Sequence, residues 1–287
     1  MSVDLCGIEL AHPVINGSGT FDVIAARRVF GASLDEQFPF SAFVSKTITL
    51  QPRIGNPPPR LFETPAGLVN SIGLPNRGLA GYLEHDLPEL ATLAVPLITN
   101  VMGSNADEVG ELFEALEGRE EIAAIELNVS CPNVKTGLDI GSDPAELHRL
   151  LAAVRDKTSK PLIVKLTPNT ADVALVASAA EASGADAVSL INTLRAFAAD
   201  PAQPGKPWLG GGSGGQSGAA IRAVALAQTS AVAAAVKLPI IAMGGISSAA
   251  NGRQFLDAGA VVIAVGTESF RDPAAAGAIR DGLAQLA

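Results

Sequence analysis

The chain has 287 residues, which is enough for one large domain or for two small ones. Hydrophobic residues make up 48% of the chain and charged residues only 17%, so most of it must be buried and an intrinsically disordered protein is excluded. The formal net charge of −9 argues against the basic surface with which proteins bind nucleic acid.

The sequence also limits the expected location and metal content of the protein. No apolar run reaches the roughly 20 residues that a membrane-spanning helix needs, so no membrane association is expected. The chain begins Met1-Ser-Val-Asp-Leu-Cys-Gly, without the basic and apolar regions of a signal peptide, and we expect it in the cytoplasm. Cys6 and Cys131 do not form a C-x-x-C pair and the three histidines are far apart, so no metal site is expected within the chain.

Eight short apolar runs are predicted to be buried strands, because each ends in a polar residue or a glycine. They lie at residues 14–15, 42–45, 96–99, 122–127, 162–164, 187–190, 240–243 and 261–265. Stretches of helical length separate several of them, and these predicted helices lie at residues 105–117, 143–157, 170–184 and 218–236. This alternation indicates an α/β fold, a (β/α)8 TIM barrel that forms a single domain over residues 1–287.

Two connections in the predicted barrel are longer than the others. They cover residues 49–95, after the second strand, and 194–217, after the sixth, and we expect both to be loop insertions on the face where barrel active sites lie. The alternative fold, an open doubly wound sheet, needs a G-x-G-x-x-G turn after its first strand. Gly210, Gly212 and Gly215 have this spacing but lie in the second long connection, so the barrel is favoured.

Polar side chains follow most of the predicted strands and form the candidate site. They are Asn16, Lys46, Asn100, Asn128, Lys165, Asn192 and Thr193, with Cys131 in the loop after the fourth strand. The set contains neither a Ser–His–Asp triad nor a pair of carboxylates, so a hydrolytic centre is not indicated. Asparagine offers both a donor and an acceptor, which the imide edge of a planar heterocycle requires.

Two features of the strand ends favour an anionic, electron-rich ligand such as a flavin nucleotide. Lys46 and Lys165 each end a buried strand, where an ammonium group needs a partner, and either a flavin ring or a barrel carboxylate would serve. Glycines at 244–245 and 266 end the last two strands, where barrels often bind phosphate. The alternative for these glycines is that they only make tight turns.

Cys131 has two interpretations. A free cysteine is commonly no more than a small buried apolar residue. Cys131, however, lies in a loop on the predicted catalytic face, where a thiol can act as an acid or a base once its pKa is tuned. Cys6, which precedes the first strand, has no such setting.

The loop Asn128-Val-Ser-Cys-Pro-Asn133 resembles the active-site loop of the class 1 dihydroorotate dehydrogenases. Other segments resemble that family in the same order along nearly the whole chain. They are Ser45-Lys-Thr47, Asn56-Pro-Pro-Pro-Arg60, the run of residues 63–76, Val164-Lys-Leu-Thr-Pro-Asn169, Ile191-Asn-Thr193, Gly215-Gln-Ser-Gly218, Met243-Gly-Gly-Ile246 and Val265-Gly-Thr267.

The resemblance implies a flavoenzyme that oxidises (S)-dihydroorotate to orotate in de novo pyrimidine biosynthesis. It implies that Cys131 is the catalytic base, which removes the C5 proton while a hydride passes from C6 to N5 of FMN. The substrate residues that it implies are Lys46, Asn70, Asn128, Asn133, Asn192 and Thr193. The FMN residues that it implies are Ser18, Lys46, Thr47, Asn100, Asn128, Lys165, Ile191, Gly218, Gly244, Gly245, Gly266 and Thr267.

The continuation from Val134 to Asp143 is similar to the type B subgroup of this family. That similarity implies a partner, an iron–sulfur flavoprotein subunit with FAD and a 2Fe-2S cluster, which passes electrons to NAD. A homodimer of the catalytic chain is expected as well. Residues 194–199 and Gln216 depart from the family pattern.

Three other functions share parts of the pattern. Dihydropyrimidine dehydrogenase also uses a loop cysteine, but Asn133 after Cys-Pro favours the orotate enzyme. A dihydrouridine synthase acts on RNA, which the acidic charge disfavours. The third is a flavin-free barrel that binds a phosphorylated metabolite, and such a protein would lack visible flavin absorbance.

Overall fold

The computed structural model describes residues 2–130 and 140–286. The strands are β1 (Val3–Leu5), β2 (Ile8–Leu10), β3 (Val14–Asn16), β4 (Phe43–Val44), β5 (Leu61–Thr64), β6 (Gly67–Asn70), β7 (Leu97–Val101), β8 (Ile122–Asn128), β9 (Leu162–Lys165), β10 (Ala187–Leu190), β11 (Leu194–Ala196), β12 (Gly214–Ser217), β13 (Ile240–Met243) and β14 (Val262–Val265).

The helices surround these strands and follow them in sequence. They are α1 (Val23–Phe30), α2 (Ala32–Glu36), α3 (Gly78–Gly81), α4 (Leu87–Leu90), α5 (Ala106–Glu117), α6 (Pro144–Val154), α7 (Val173–Ala182), α8 (Arg222–Ala235), α9 (Ala249–Asp257), α10 (Glu268–Arg271) and α11 (Ala275–Gln285). A π-helical turn at Tyr82–Asp86 joins α3 to α4, and 3₁₀ turns lie at Ile140–Ser142, Arg155–Lys157 and Ala219–Ile221.

Eight parallel strands form the barrel, in the order β3, β14, β13, β10, β9, β8, β7 and β4. They are the eight apolar runs that the sequence predicted, and the (β/α)8 barrel is confirmed. The two strands at the ends of this order are joined by the side chain of Asn16. Its Nδ2 donates to the Val44 carbonyl at 2.8 Å and its Oδ1 accepts from the Val44 N–H at 2.8 Å, as a peptide group would.

Side chains of the barrel strands alternate between the barrel interior and the helices, as the period of two residues in a strand requires. One buried apolar cluster fills the interior and includes Ile15, Val44, Ile98, Ile163 and Ile241. The hairpin of β1 and β2 adds its own leucines to this cluster. The hairpin lies at the amino-terminal end of the barrel strands. The Cys6 thiol, between β1 and β2, shows this, since it donates to the Asp186 carbonyl just before β10. The opposite end remains for a ligand.

The two long connections contribute strands of their own, which the sequence did not predict. β11, β12, β6 and β5 form a four-stranded sheet in that order, and all its pairs are antiparallel. Val69, Ala198 and Leu209 form a small apolar core beneath it. Gln216, which departs from the family pattern, donates from Nε2 to Thr64 Oγ1 at 3.3 Å and so joins β12 to β5.

The helices begin where short polar residues accept backbone hydrogen bonds. Asn105 Oδ1 accepts from the Glu108 N–H at 2.9 Å at the start of α5, and Asp143 serves α6 in the same way. The third predicted helix begins at Val173 rather than at Thr170, because Asp172 is its cap. Within residues 2–130 and 140–286, no helix combines the length and the apolar character needed to span a membrane.

Candidate active site

A cavity of about 410 Å³ opens at the carboxyl ends of the barrel strands, between them and the four-stranded sheet. Most of the residues that the sequence predicted for the site line this one cavity. They are Ser18, Lys46, Thr47, Asn70, Asn128, Lys165, Ile191, Asn192, Thr193, Gly218, Gly244, Gly245, Gly266 and Thr267. The cavity has the size typical of small-molecule and cofactor sites.

Some of the predicted residues are not among those that line the cavity. Asn16 is fully buried and its amide is used to close the barrel. Asn100 is also fully buried, and its Nδ2 donates to Glu126 within the barrel. Cys131 and Asn133 lie outside the residues that the structure describes.

The two lysines reach the cavity from different strands. Lys165, the last residue of β9, is 6% exposed, whereas Lys46 follows β4 and is exposed. Neither lysine forms an ion pair with any residue in the described ranges, so a salt bridge to a barrel carboxylate is not what holds them there. A buried ammonium group without a carboxylate favours a ligand that carries negative charge or carbonyl oxygens.

Glycines form one end of the cavity. Gly245 has a φ of 74°, a conformation that side chains disfavour, and a Cβ there would lie 2.7 Å from the Gly218 carbonyl oxygen. Gly218, Gly244, Gly245 and Gly266 line the cavity, and none of them carries a side chain. Thr267 lies beside these glycines, and its hydroxyl donates to Ser217 Oγ at 2.8 Å. Exposed main-chain N–H groups and hydroxyls of this kind are suited to a phosphate group.

Amide and hydroxyl groups lie on another side of the cavity and contact one another. Asn192 Nδ2 donates to Ser130 Oγ at 3.0 Å and to Asn128 Oδ1 at 3.3 Å. Asn192 Oδ1 accepts from the Thr193 N–H at 2.9 Å. This linked set of donors and acceptors orients the side chains toward a heterocycle with several polar atoms.

The four-stranded sheet covers the cavity with both polar and apolar groups. Asn70, at the end of β6, donates from Nδ2 to the Gly215 carbonyl at 3.2 Å. Leu68, Ile72, Leu74 and Phe270 also line the cavity, and the sequence did not single them out. Apolar residues at a binding site carry no signal that separates them from core residues. The cavity thus combines an apolar surface with a polar one, as a planar aromatic ring with a polar edge requires.

Glu126 is a further polar residue that the sequence did not predict. It lies within β8, is 2% exposed, and accepts hydrogen bonds from Asn100 and Ser189 inside the barrel. Its position in the middle of an apolar run hides it from any search that looks only at the strand ends. Among the described residues, no cluster of three or more His, Cys, Asp or Glu side chains could hold a metal ion.

Comparison with known proteins assigns this barrel to a family. A family model described as dihydroorotate dehydrogenase matches residues 1–286. A relative from Geotalea uraniireducens is 44% identical over 284 residues, which are 99% of this chain and 92% of that protein. A relative from Pelobacter propionicus is 45% identical over 284 residues, 99% of this chain and 92% of that protein.

A third relative, from Geobacter sulfurreducens, is 42% identical over 283 residues, 97% of this chain and 90% of that protein. All three relatives are named dihydroorotate dehydrogenase B (NAD(+)), catalytic subunit. The matches extend over nearly the full length, and they agree with the barrel and with the cavity at its carboxyl end. This chain belongs to the dihydroorotate dehydrogenase family.

Proposed function

We propose that this chain oxidises (S)-dihydroorotate to orotate in de novo pyrimidine biosynthesis, with FMN as the hydride acceptor. The observation that carries the proposal is the cavity, which joins Lys165, the linked amides of Asn128 and Asn192, and a glycine-rich end in one space of about 410 Å³. Members of this family depend on a flavin, and family membership supports the reaction.

The cavity residues fit FMN on two counts. Gly245, Gly266 and Thr267 line one end of the cavity, where main-chain N–H groups and a hydroxyl can bind a phosphate. Lys165, without an ion pair in the described ranges, can stabilise negative charge that develops on the ring, and Lys46 can do the same. The remaining residues proposed to hold FMN are Ser18, Thr47, Asn100, Asn128, Ile191, Gly218 and Gly244.

The substrate is proposed to bind among the amides, held by Lys46, Asn70, Asn128, Asn133, Asn192 and Thr193. When bound, FMN supplies the acceptor for the hydride that leaves C6. The thiolate of Cys131 takes the proton from C5, and the electron pair of that C–H bond becomes part of the C5=C6 double bond of orotate. Asn192 orients Asn128 and Ser130 through its hydrogen bonds, so the loop that leads to Cys131 begins from a fixed position.

The electrons are proposed to leave through a second protein. The relatives are named catalytic subunits of an NAD(+)-dependent B enzyme. By extension, we propose that this chain pairs with an iron–sulfur flavoprotein subunit that carries FAD and a 2Fe-2S cluster, around a homodimer of the catalytic chain in the cytoplasm. Co-expression with such a subunit, followed by size-exclusion chromatography and an assay of NAD reduction, tests this pairing.

The reaction is tested by mixing the purified, FMN-loaded protein with dihydroorotate without oxygen and following the visible flavin absorbance. We expect the absorbance near 450 nm to bleach as the flavin accepts the hydride. A protein that binds FMN but is not bleached would contradict the proposed substrate. A protein that takes up no FMN at all would contradict the proposed cofactor.

The role of Cys131 is tested by the substitution Cys131→Ala. We expect this variant to retain FMN and to bleach at least about a hundredfold more slowly, since general-base catalysis contributes on the order of 10²–10⁴ in rate. The control is Cys6→Ala, at the opposite end of the barrel, where burial raises the pKa of the thiol to about 11. Equal bleaching rates for Cys131→Ala and the wild type would place the base elsewhere.

A further inference from the structure

Asn169, in the loop after β9, binds the main chain of a different segment of the barrel. Its Nδ2 donates to the Thr193 carbonyl at 3.1 Å, and its Oδ1 accepts from the Arg195 N–H at 2.8 Å. The same Nδ2 also donates to Thr167 Oγ1 at 3.1 Å. Because a carbonyl only accepts and an N–H only donates, the two main-chain partners determine which way the Asn169 amide faces.

The loop that carries Asn169 is itself held by its neighbours. Gln228 of α8 donates from Nε2 to the Pro168 carbonyl at 3.3 Å. On the other side of Asn169, Thr170 Oγ1 donates to the Ser142 carbonyl at 3.0 Å. Since the residues directly before and after Asn169 are both anchored, its half-buried amide can hold the segment to which it bonds.

That segment includes Thr193, which lines the cavity and has both of its main-chain polar groups engaged. Its carbonyl accepts from Asn169, and its N–H donates to Asn192 Oδ1 at 2.9 Å. Asn192 also lines the cavity, and its Nδ2 donates to Ser130 and Asn128. A shift of the Thr193 main chain would therefore move two cavity side chains, that of Thr193 and that of Asn192.

The Thr193 side chain packs against the sheet that covers the cavity. A Cβ on Gly215 of β12 would overlap Thr193 Oγ1, so the hydroxyl lies directly against the main chain there. The Gly215 carbonyl in turn accepts from Asn70 Nδ2 at 3.2 Å. Thr193, Asn192 and Asn70 thus form one connected group along the cavity, and all three are proposed above to hold the substrate.

We propose that Asn169 is a positioning residue for the substrate. Its bond to the Thr193 carbonyl holds the Thr193 hydroxyl at the cavity and, through the Thr193 N–H, also the Asn192 amide. Asn169 is not among the described residues that line the cavity, so it acts through Thr193 and not by touching the ligand. This inference rests on the proposed function, because it requires the substrate to lie beside Thr193.

The test measures the affinity of the FMN-loaded protein for orotate at equilibrium, by isothermal titration calorimetry. Asn169→Leu removes both main-chain bonds. Asn169→Asp keeps an oxygen for the Arg195 N–H but offers no donor to the Thr193 carbonyl. We expect both variants to bind orotate about tenfold more weakly or worse, while FMN affinity stays within about threefold of the wild type.

The matched control is Asp172→Ala, three residues further along the same loop. Asp172 Oδ1 accepts from the Ala174 N–H at 2.9 Å and the Leu175 N–H at 3.2 Å, at the start of α7. Its removal therefore also deprives two main-chain groups of a partner, but it does not affect Thr193. This variant should unfold at a lower urea concentration and bind orotate like the wild type.

A purely structural Asn169 would give variants that are less stable but bind orotate with wild-type affinity. That result in Asn169→Asp overturns the proposal, and this variant decides the question if Asn169→Leu does not fold. Equal weakening of FMN and orotate binding would show that the whole cavity is disturbed, and this also overturns the proposal.

The bleaching experiment separates this inference from the proposed function. A wild-type protein that is bleached by dihydroorotate supports the proposed function, and the orotate affinities of the Asn169 variants then decide this inference alone. A wild-type protein that binds FMN but neither bleaches nor binds orotate contradicts the proposed substrate, and the role of Asn169 is overturned with it.

Discussion

Asn16 helps to close the barrel with its side chain, next to the backbone hydrogen bond from the Ser41 N–H to the Val14 carbonyl at 3.0 Å. Its amide satisfies both the N–H and the carbonyl of Val44. We predict that Asn16→Leu, which keeps the volume of the side chain, lowers the free energy of unfolding by about 2–6 kcal/mol, since two buried backbone groups each lose a partner worth about 1–3 kcal/mol. Urea unfolding followed by circular dichroism measures this loss.

The control for Asn16 is Thr229→Val in α8. Thr229 is equally buried, but its hydroxyl donates within its own helix to the Ala225 carbonyl at 2.8 Å, and its removal leaves no strand unpaired. This variant should change the unfolding free energy by less than about 1 kcal/mol. Similar losses for the two variants would show that Asn16 acts only as a buried polar residue and not as the barrel closure.

Among the elements of the fold, the hairpin of β5 and β6 covers the cavity. Gly67 in this hairpin determines how closely β6 packs against β12. A Cβ on Gly67 would overlap the carbonyl oxygen of Ser217, next to the cavity residue Gly218. We predict that Gly67→Ala pushes the hairpin away from β12 and weakens FMN binding about tenfold, while the barrel remains folded. Fluorescence titration with FMN measures the affinity, and circular dichroism checks the fold.

Gly212→Ala is the matched control for this element. Gly212 also has a positive φ, 83°, so alanine costs about 1–2 kcal/mol of backbone strain there too. No atom lies within 4 Å of a Cβ at that position, so no element has to move. We expect this variant to bind FMN like the wild type. Equal weakening in both variants would mean that strain alone, and not the position of the hairpin, controls binding.

The strands that the sequence predicted are more deeply buried than the strands that it did not predict. Barrel strands such as β9 and β13 are buried on both faces and read as continuous apolar runs, so they can be found without any partner in view. The strands over the cavity are partly exposed and rich in glycine; β12 reads Gly-Gly-Gln-Ser and has neither an apolar run nor an alternation. Their pairing depends on contacts between segments far apart in the chain, which a local pattern does not contain.

The residues of the candidate site also fall into those that stand out in the sequence and those that do not. Polar residues that end a strand, such as Lys165, stand out against the apolar run before them. Glu126 does not, because it is enclosed within the strand and its hydrogen bonds reach two other strands. The cavity residue Leu68 carries no chemical signal at all. The sequence therefore identifies the groups that meet a ligand at strand ends, whereas the groups that support or cover them require the assembled barrel.

At the scale of the whole molecule, the first barrel strand meets the last helix at His12. Burial, together with the nearby charge of Arg280 in α11, lowers the pKa of this histidine to about 4. Its Nδ1 accepts from the Val14 N–H at 3.3 Å, which a protonated Nδ1 cannot do. The ordinary pKa of histidine is 6.5, so the unfolded chain binds more protons between pH 6.5 and pH 4. The contribution of His12 to stability is therefore present above pH 6.5 and is lost as the pH falls through this range.

We predict from this linkage that acid destabilises the protein between pH 7 and pH 5 and that His12→Gln removes part of that dependence. The part due to His12 is about 1 kcal/mol, because the half-exposed ring is screened by solvent. Glutamine cannot titrate, and its oxygen can still accept from the Val14 N–H. Urea midpoints at the two pH values measure the difference, and His148→Gln, at an exposed histidine on α6, should keep the wild-type dependence. If His12→Gln loses as much stability on acidification as the wild type, the contact between the first strand and the last helix does not set the acid limit of this barrel.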